Sequence, residues 1–341
     1  MTAFPRLTSV PRPRYRSPRA LGVALAALPV LALSACSASD EDTAASAPFS
    51  YTDSRSHVVE LEAAPTRIVA SEQAAAALIP LGITPVGVWG SSEFSSSIAL
   101  KGLELDGIES VGHEYGDIDI EAVAALEPDV IITGSYAGDA LGGIGADTSE
   151  LATTLATVAP ILTASAQTPA SQILDDYRNL AVALGADPDH EHTTRDRAAF
   201  DAAVEHLRKA IAAKPGVNAI AVSPSDQFYV AITDEFPELL DYRNWGLDLI
   251  SSTVARTANS GSFSPVSWEN VGDYQSDLIL LDTRPYATPL AALEQERPTW
   301  QFLAAAKAGN IADWTTDATN NYVSYTAQIT ALTAAINRAT P

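Results

Sequence analysis

The 341-residue sequence is poor in cysteine, methionine, lysine and histidine, with one, one, four and five respectively. A single cysteine excludes a disulfide framework within the chain. The 20 Lys and Arg stand against 42 Asp and Glu, a net charge of −22 that repels phosphate backbones, so nucleic acid is not an expected partner. No apolar run reaches the ~20 residues that span a bilayer comfortably. Catalytic signatures are missing too. There is no His-Glu-x-x-His and no Gly-x-x-x-x-Gly-Lys, and the segment Gly134-Ser135-Tyr136-Ala137-Gly138 lacks the central serine of a nucleophile elbow. An enzyme is therefore not expected, although a secreted hydrolase is kept as the competing class. With 47% apolar residues, the chain has ample material for a core, and its length suggests about two domains.

The charge that is present is unevenly placed. Residues 1–19 carry Arg6, Arg12, Arg14, Arg16 and Arg19 and no acid, and a short apolar run follows over 20–35. This pattern predicts an export signal over residues 1–35. Its end, Leu33-Ser34-Ala35-Cys36, looks like a bacterial lipobox, so Cys36 is the expected lipidation site. Loss of the signal would leave 15 bases against 42 acids, on the outer face of a membrane. Residues 36–54 are small, polar and acidic, and read as a flexible tether.

Beyond the tether, strands alternate with helices, the sign of α/β layering with mainly parallel sheets. Strands are expected at 66–70, 85–89, 130–133 and 160–162, with a helix after Ser71 in which Glu72 suits the positive first turn. A second series holds strands at 218–222, 228–231, 278–281 and 309–311 and ends in a helix over 321–338. Between the two series lie a helix at 171–184 and a longer one over 188–213. The second is a rod of roughly 39 Å, long enough to join two lobes. This division assigns 55–186 to an N-terminal lobe, 187–214 to the inter-lobe helix and 215–341 to a C-terminal lobe.

An internal repeat supports two related lobes. Asp119-Ile120-Glu121 with Asp129-Val130-Ile131 matches Ser267-Trp268-Glu269 with Asp277-Leu278-Ile279 at one constant offset of 148 residues. Each copy reads as a cap, a glutamate, a short helix and a buried strand.

These segments, together with Pro65-Thr66-Arg67-Ile68-Val69, the stretch 81–88 and Trp300 with residues 304–310, resemble the iron-siderophore and cobalamin class of ABC-transporter substrate-binding proteins. The resemblance implies two Rossmann-like α/β lobes joined by a rigid helix, with a ligand cleft between them. It further implies a monomer that hands a ferric siderophore, or alternatively cobalamin or haem, to a permease with a cytoplasmic ATPase. Iron would enter only as part of the chelate, and no cofactor is expected. In that family one glutamate at the tip of each lobe docks into permease arginines. The match carries this role onto Glu121 and Glu269, placed away from the strand-end loops of the cleft.

Open α/β sheets bind ligands at loops following strand C-termini. This predicts ligand contacts from Trp89 and the 90–94 segment, Tyr115 and Tyr136 on one lobe, and from Arg256, Arg284, Tyr286 and Trp314 on the other. Arginine with aromatic rings suits a large, anionic or iron-loaded chelate. The loop 112–117 lacks the arginine with which some hydroxamate-binding members contact their ligand. A protein metal site is not expected. His190 and His192 are two apart, which on a helix separates their faces, and only His113 falls near the cleft.

Overall fold

The structure, a computed structural model, describes residues 48–136, 140–257 and 260–339; Cys36, the expected signal over 1–35 and the expected tether as far as residue 47 lie outside the described residues. Folding begins earlier than the sequence suggests. Strands β1 (Phe49–Thr52) and β2 (Val58–Leu61) form an antiparallel hairpin, with Phe49 opposite Leu61. The end of the expected tether is therefore part of the N-terminal lobe. Phe49 and Tyr51 alternate with polar residues at strand period, and Phe49 is buried against the lobe's main core. Asp53 locks the hairpin turn by accepting from the Arg55 and His57 amides, 2.9 Å each, while pairing with the Arg55 guanidinium.

The N-terminal lobe continues with β3 (Ile68–Ser71), α1 (Glu72–Leu78), β4 (Gly87–Trp89), β5 (Glu109–Gly112), α2 (Ile120–Ala125) and β6 (Val130–Tyr136). Two short strands follow, β7 (Ala140–Leu141) and β8 (Gly145–Ala146), then α3 (Glu150–Val158), β9 (Ile161–Ser165) and α4 (Ala170–Ala183). Strands β5, β4, β3, β6 and β9 are parallel in that order, and β7 turns back along the end of β6. The Ser71 hydroxyl caps α1 by accepting from the Ala74 amide.

Next comes α5 (Glu191–Ala213), 23 residues or about 34 Å. It starts three residues later than expected because His190 is extended, with φ −54° and ψ 134°. That bend also brings the His190 and His192 rings to 5.3 Å, which helical spacing would not have allowed.

The C-terminal lobe holds β10 (Asn218–Pro224), β11 (Phe228–Ala231), α6 (Pro237–Asn244), β12 (Asp248–Leu249), β13 (Phe263–Val266) and β14 (Leu278–Asp282). It closes with α7 (Leu290–Glu296), α8 (Ala304–Ala308), β15 (Ile311–Trp314) and α9 (Tyr322–Arg338). Here β10, β14 and β15 are parallel, whereas β11 runs antiparallel between β10 and β13.

Helix α5 lays Phe200, Ala203, Val204, Leu207, Ala210 and Ile211 into the C-terminal core, against α9. Its first turns reach the other lobe, where Thr193 and Asp196 border a small crevice beside Ala77 and Pro80. Further ties cross between lobes. The buried Asp241 carboxylate of α6 accepts from the Ser171 amide (2.7 Å) and hydroxyl (2.6 Å) at the start of α4, and from Tyr325 (2.9 Å) on α9. Burial pushes Asp241 up, and these hydrogen bonds pull it back.

The repeat is structural. Asp129 accepts from the Thr66 and Arg67 amides at 2.7 and 2.8 Å, tying β6 to β3, and Asp277 accepts from the Asn218 amide at 3.0 Å, tying β14 to β10. The copies differ between glutamate and strand. The alanine-rich first copy forms α2, whereas Gly272 in the second leaves only a single 3₁₀ turn, Val271–Asp273.

Candidate functional site between the lobes

In the N-terminal sheet the chain order reverses between β3 and β6, which makes their C-terminal ends the place where a crevice opens. A cavity of about 380 Å³ lies there. One wall is Trp89, at the end of β4, nearly buried and donating from its indole Nε1 to the Gly142 carbonyl at 3.3 Å. A Cβ at Gly143, where φ is +73°, would stand 2.7 Å from that nitrogen, so only glycine permits the contact. Tyr115, 79% exposed in the turn after β5, and Tyr136, 46% exposed at the end of β6, line the mouth.

The floor holds a residue that the sequence placed only in a helix turn. Glu72 follows β3 directly and is 5% exposed. Its carboxylate accepts from the Ser91 amide (3.1 Å) and hydroxyl (2.9 Å) and from the Ser97 hydroxyl (2.8 Å), and it borders the cavity. Gly90 makes room for it, since a Cβ there would stand 2.8 Å from the Glu72 Oε2. The available signal was its position, an acid directly after a strand at the reversal of strand order.

The C-terminal lobe contributes the end of β14. Arg284 donates from Nε and Nη2 to the buried Asp282 carboxylate, both at 2.9 Å. Its guanidinium lies 5.0 Å from the Tyr286 ring, 5.7 Å from Trp314 and 5.9 Å from Phe236. Tyr286 is exposed. Trp314 is not: it is 1% exposed, and its Nε1 donates to Glu238 at 2.8 Å. The expectation that Trp314 meets ligand is thus corrected. β15 is the edge strand of its sheet, but the indole at its end is packed into the core of the C-terminal lobe, and it supports Arg284 from behind. Glu238, fully buried, also accepts from Thr316 at 3.2 Å, and burial pushes its carboxyl up to about 7.

Charges of the two lobes act on one another here. Burial pushes Asp317, in the 3₁₀ turn Thr316–Ala318, upward; Arg284 opposes this, while Glu72 of the other lobe and Asp282 add to it. Loss of solvent around its hydroxyl pushes Tyr136 up to about 12, and Asp317 adds to this. Glu72, Tyr115 and Tyr136 therefore face Arg284 and Asp317 across one cleft. Arg256 is exposed and ion-paired with Glu235 in a loop ahead of β13.

Glu121 and Glu269 are both exposed, in matched positions. The amide of Asp119, the cap of α2, donates to Val111 of β5 (2.8 Å), and Trp268 Nε1 donates to Ser225 just past β10 (3.3 Å). Both glutamates thus stand at the C-terminal edges of their sheets, the edges that carry the cleft loops, and not away from them. A helix that follows a parallel strand must start at that strand's C-terminal end. His113 lies 3.6 Å from Glu93. Among the described residues no group of three or more His, Cys, Asp or Glu could hold a metal ion, and no helix is long and apolar enough to cross a membrane.

A model of the periplasmic binding protein family matches residues 68–318. Among solved structures, the ferric-siderophore receptor protein DesE from Streptomyces coelicolor is 32% identical, with a TM-score of 0.78, over 86% of this chain and 99% of that one. The iron uptake ABC transporter substrate-binding protein PiuA from Streptococcus pneumoniae is 20% identical, with a TM-score of 0.64, over 86% and 98% of the two chains. FhuD2 from Staphylococcus aureus, solved with bound ferrioxamine B, is 19% identical, with a TM-score of 0.55, over 80% and 98%. At these lower identities the likeness is one of fold. The curated proteins contain no match to the chain.

Proposed function

Because the chain belongs to the periplasmic binding protein family, we propose that it is the lipid-anchored receptor of an ABC importer, capturing a ferric siderophore outside the cell and delivering it to the permease. The observation that carries this reading is the cavity of about 380 Å³ at the strand-order reversal, with Tyr115 and Tyr136 of one lobe facing Arg284 and Tyr286 of the other. Aromatic faces and phenol hydroxyls grip a bulky chelate over a wide area and still leave it free to depart. Trp89 supplies a fixed wall.

Delivery requires a second surface. Glu121 and Glu269, exposed at the cleft-bearing edges of the two lobes, are our candidates for ion pairs with permease arginines, so that docking straddles the opening through which ligand leaves. Anchoring is assigned to acyl chains on Cys36, each contributing about 0.8 kcal/mol per buried CH₂. Cells carrying Glu121→Ala/Glu269→Ala at matched protein level should bind the ferric chelate normally and lose its uptake, since interfacial ion pairs can contribute about 2–5 kcal/mol each when buried. Normal uptake by that variant would remove the docking assignment. In the same cells, Cys36→Ala should leave an unprocessed precursor or release protein into the medium; a processed variant retained in the membrane would remove the anchor assignment.

A further inference from the structure

The charge inside the cleft is opposite to the one the sequence suggested for an anionic ligand. Arg284 spends two of its donor nitrogens on Asp282, whose buried carboxylate cancels its charge. Glu72 borders the cavity with its carboxylate held by the neutral donors of Ser91 and Ser97 and not by a cation. Asp317 lies on the other lobe in the turn after β15, and that turn is tied to the same seam by Asn321, whose side chain donates to the Ala76 carbonyl of α1 at 3.3 Å; Glu72 is one of the charges that push the Asp317 carboxyl upward. Three carboxylates and one guanidinium leave an excess of negative charge, enclosed by low-dielectric walls that strengthen it. At the mouth, Tyr115, Tyr136 and Tyr286 offer ring faces, which attract cations.

We propose that Glu72 and Asp317 set ligand specificity by charge, so that the cleft favours cationic ferric complexes over neutral ones and rejects anionic ones. The inference rests on the siderophore-binding reading above and narrows it to a charge class. A positive group on the chelate would sit between two carboxylates contributed by different lobes, and so would also help to hold the lobes together around it. A negative group would meet both carboxylates while the nearby Arg284 is already engaged by Asp282, and like-charge contact in a partly dry site is strongly unfavourable.

The test uses three probes with one iron-binding core: ferrioxamine B, which carries a terminal ammonium, its neutral N-acetyl derivative and its anionic N-succinyl derivative. Calorimetric titration of the purified protein at low salt should show Kd rising about tenfold at each step from cation to neutral to anion. Asp317→Asn, which keeps size and polarity, should compress that spread to about threefold, and Glu72→Gln should do the same if it folds. Equal affinity for the three probes, or tightest binding of the succinyl derivative, would overturn the charge assignment and leave the siderophore reading standing. An unchanged spread in Asp317→Asn would remove that residue from the specificity argument. Failure of all three probes, together with ferric catecholates and citrate, would instead remove the siderophore reading and this inference with it.

Discussion

Behind Arg284, the Trp314 indole donates to a Glu238 carboxylate that has no solvent around it, and this arrangement gives the protein a pH dependence of known sign. An unfolded glutamate loses its proton near 4.5, whereas in the fold Glu238 keeps its proton up to about 7. Below pH 4.5 both states are protonated and Glu238 costs nothing. As pH rises from there to about 7 the unfolded state is favoured increasingly, reaching about 3 kcal/mol at the upper end. Glu238→Gln, isosteric and always neutral, should flatten that fall and raise the melting temperature at pH 8 relative to the parent. Parallel stability curves for the two proteins in acid denaturant titrations would contradict the burial argument. At this scale the sequence was legible in kind but not in detail. Arg284 and Tyr286 could be placed at the cleft because they follow an obvious buried strand. Trp314 follows one too, yet its indole found a carboxylate 76 residues upstream, a pairing that no local pattern contains. Glu72 was seen only as a helix-turn acid for a similar reason, since Ser91 and Ser97, which orient it, lie in a loop without periodicity.

Among the elements, those with a strong apolar period were legible and those without were not. The strands at 68–71, 130–136, 218–224 and 278–282 are nearly continuous apolar runs, because parallel strands are covered on both faces. The short α6, whose apolar residues do not gather on one face, carries a weak pattern that local reading passes over, while α3 has an apolar face that its threonines at 153, 154 and 157, poor helix formers, disguise. Helix α5 is the element with the clearest mechanical consequence. Its 23 residues contain neither glycine nor proline, so it has no built-in kink. Ser171 and Tyr325 also meet on Asp241, and the Asn321 side chain donates to the Ala76 carbonyl, so α4, α6 and α9 bind the lobes beside it. Ligand should therefore tilt the lobes only slightly, and small-angle scattering curves with and without ferric chelate should nearly superimpose. A large fall in radius of gyration on binding would show that α5 bends or that the Asp241 junction opens.

At the scale of the whole molecule, two copies of one lobe, each pinned by an aspartate at the same place in its sheet, face each other so that both sets of strand ends border a single cleft. The repeat made the two lobes readable from sequence, and the general rule about strand ends located the cleft. What stayed hidden was the electrostatic balance within it, because Arg284 looks like a free cation until Asp282 is seen holding it. The ligand proposed for this cleft is an iron chelate. Five tryptophans are present, and Trp89 stands in the cavity wall, so intrinsic fluorescence can report occupancy directly. The most direct test is a quenching titration of the purified protein with ferric hydroxamates, ferric catecholates, ferric citrate, haem and cobalamin, with the recovered ligand checked for chemical change. The expected result is saturable, one-to-one quenching by a ferric siderophore recovered intact. Quenching confined to haem or cobalamin, or conversion of any ligand to product, would contradict it.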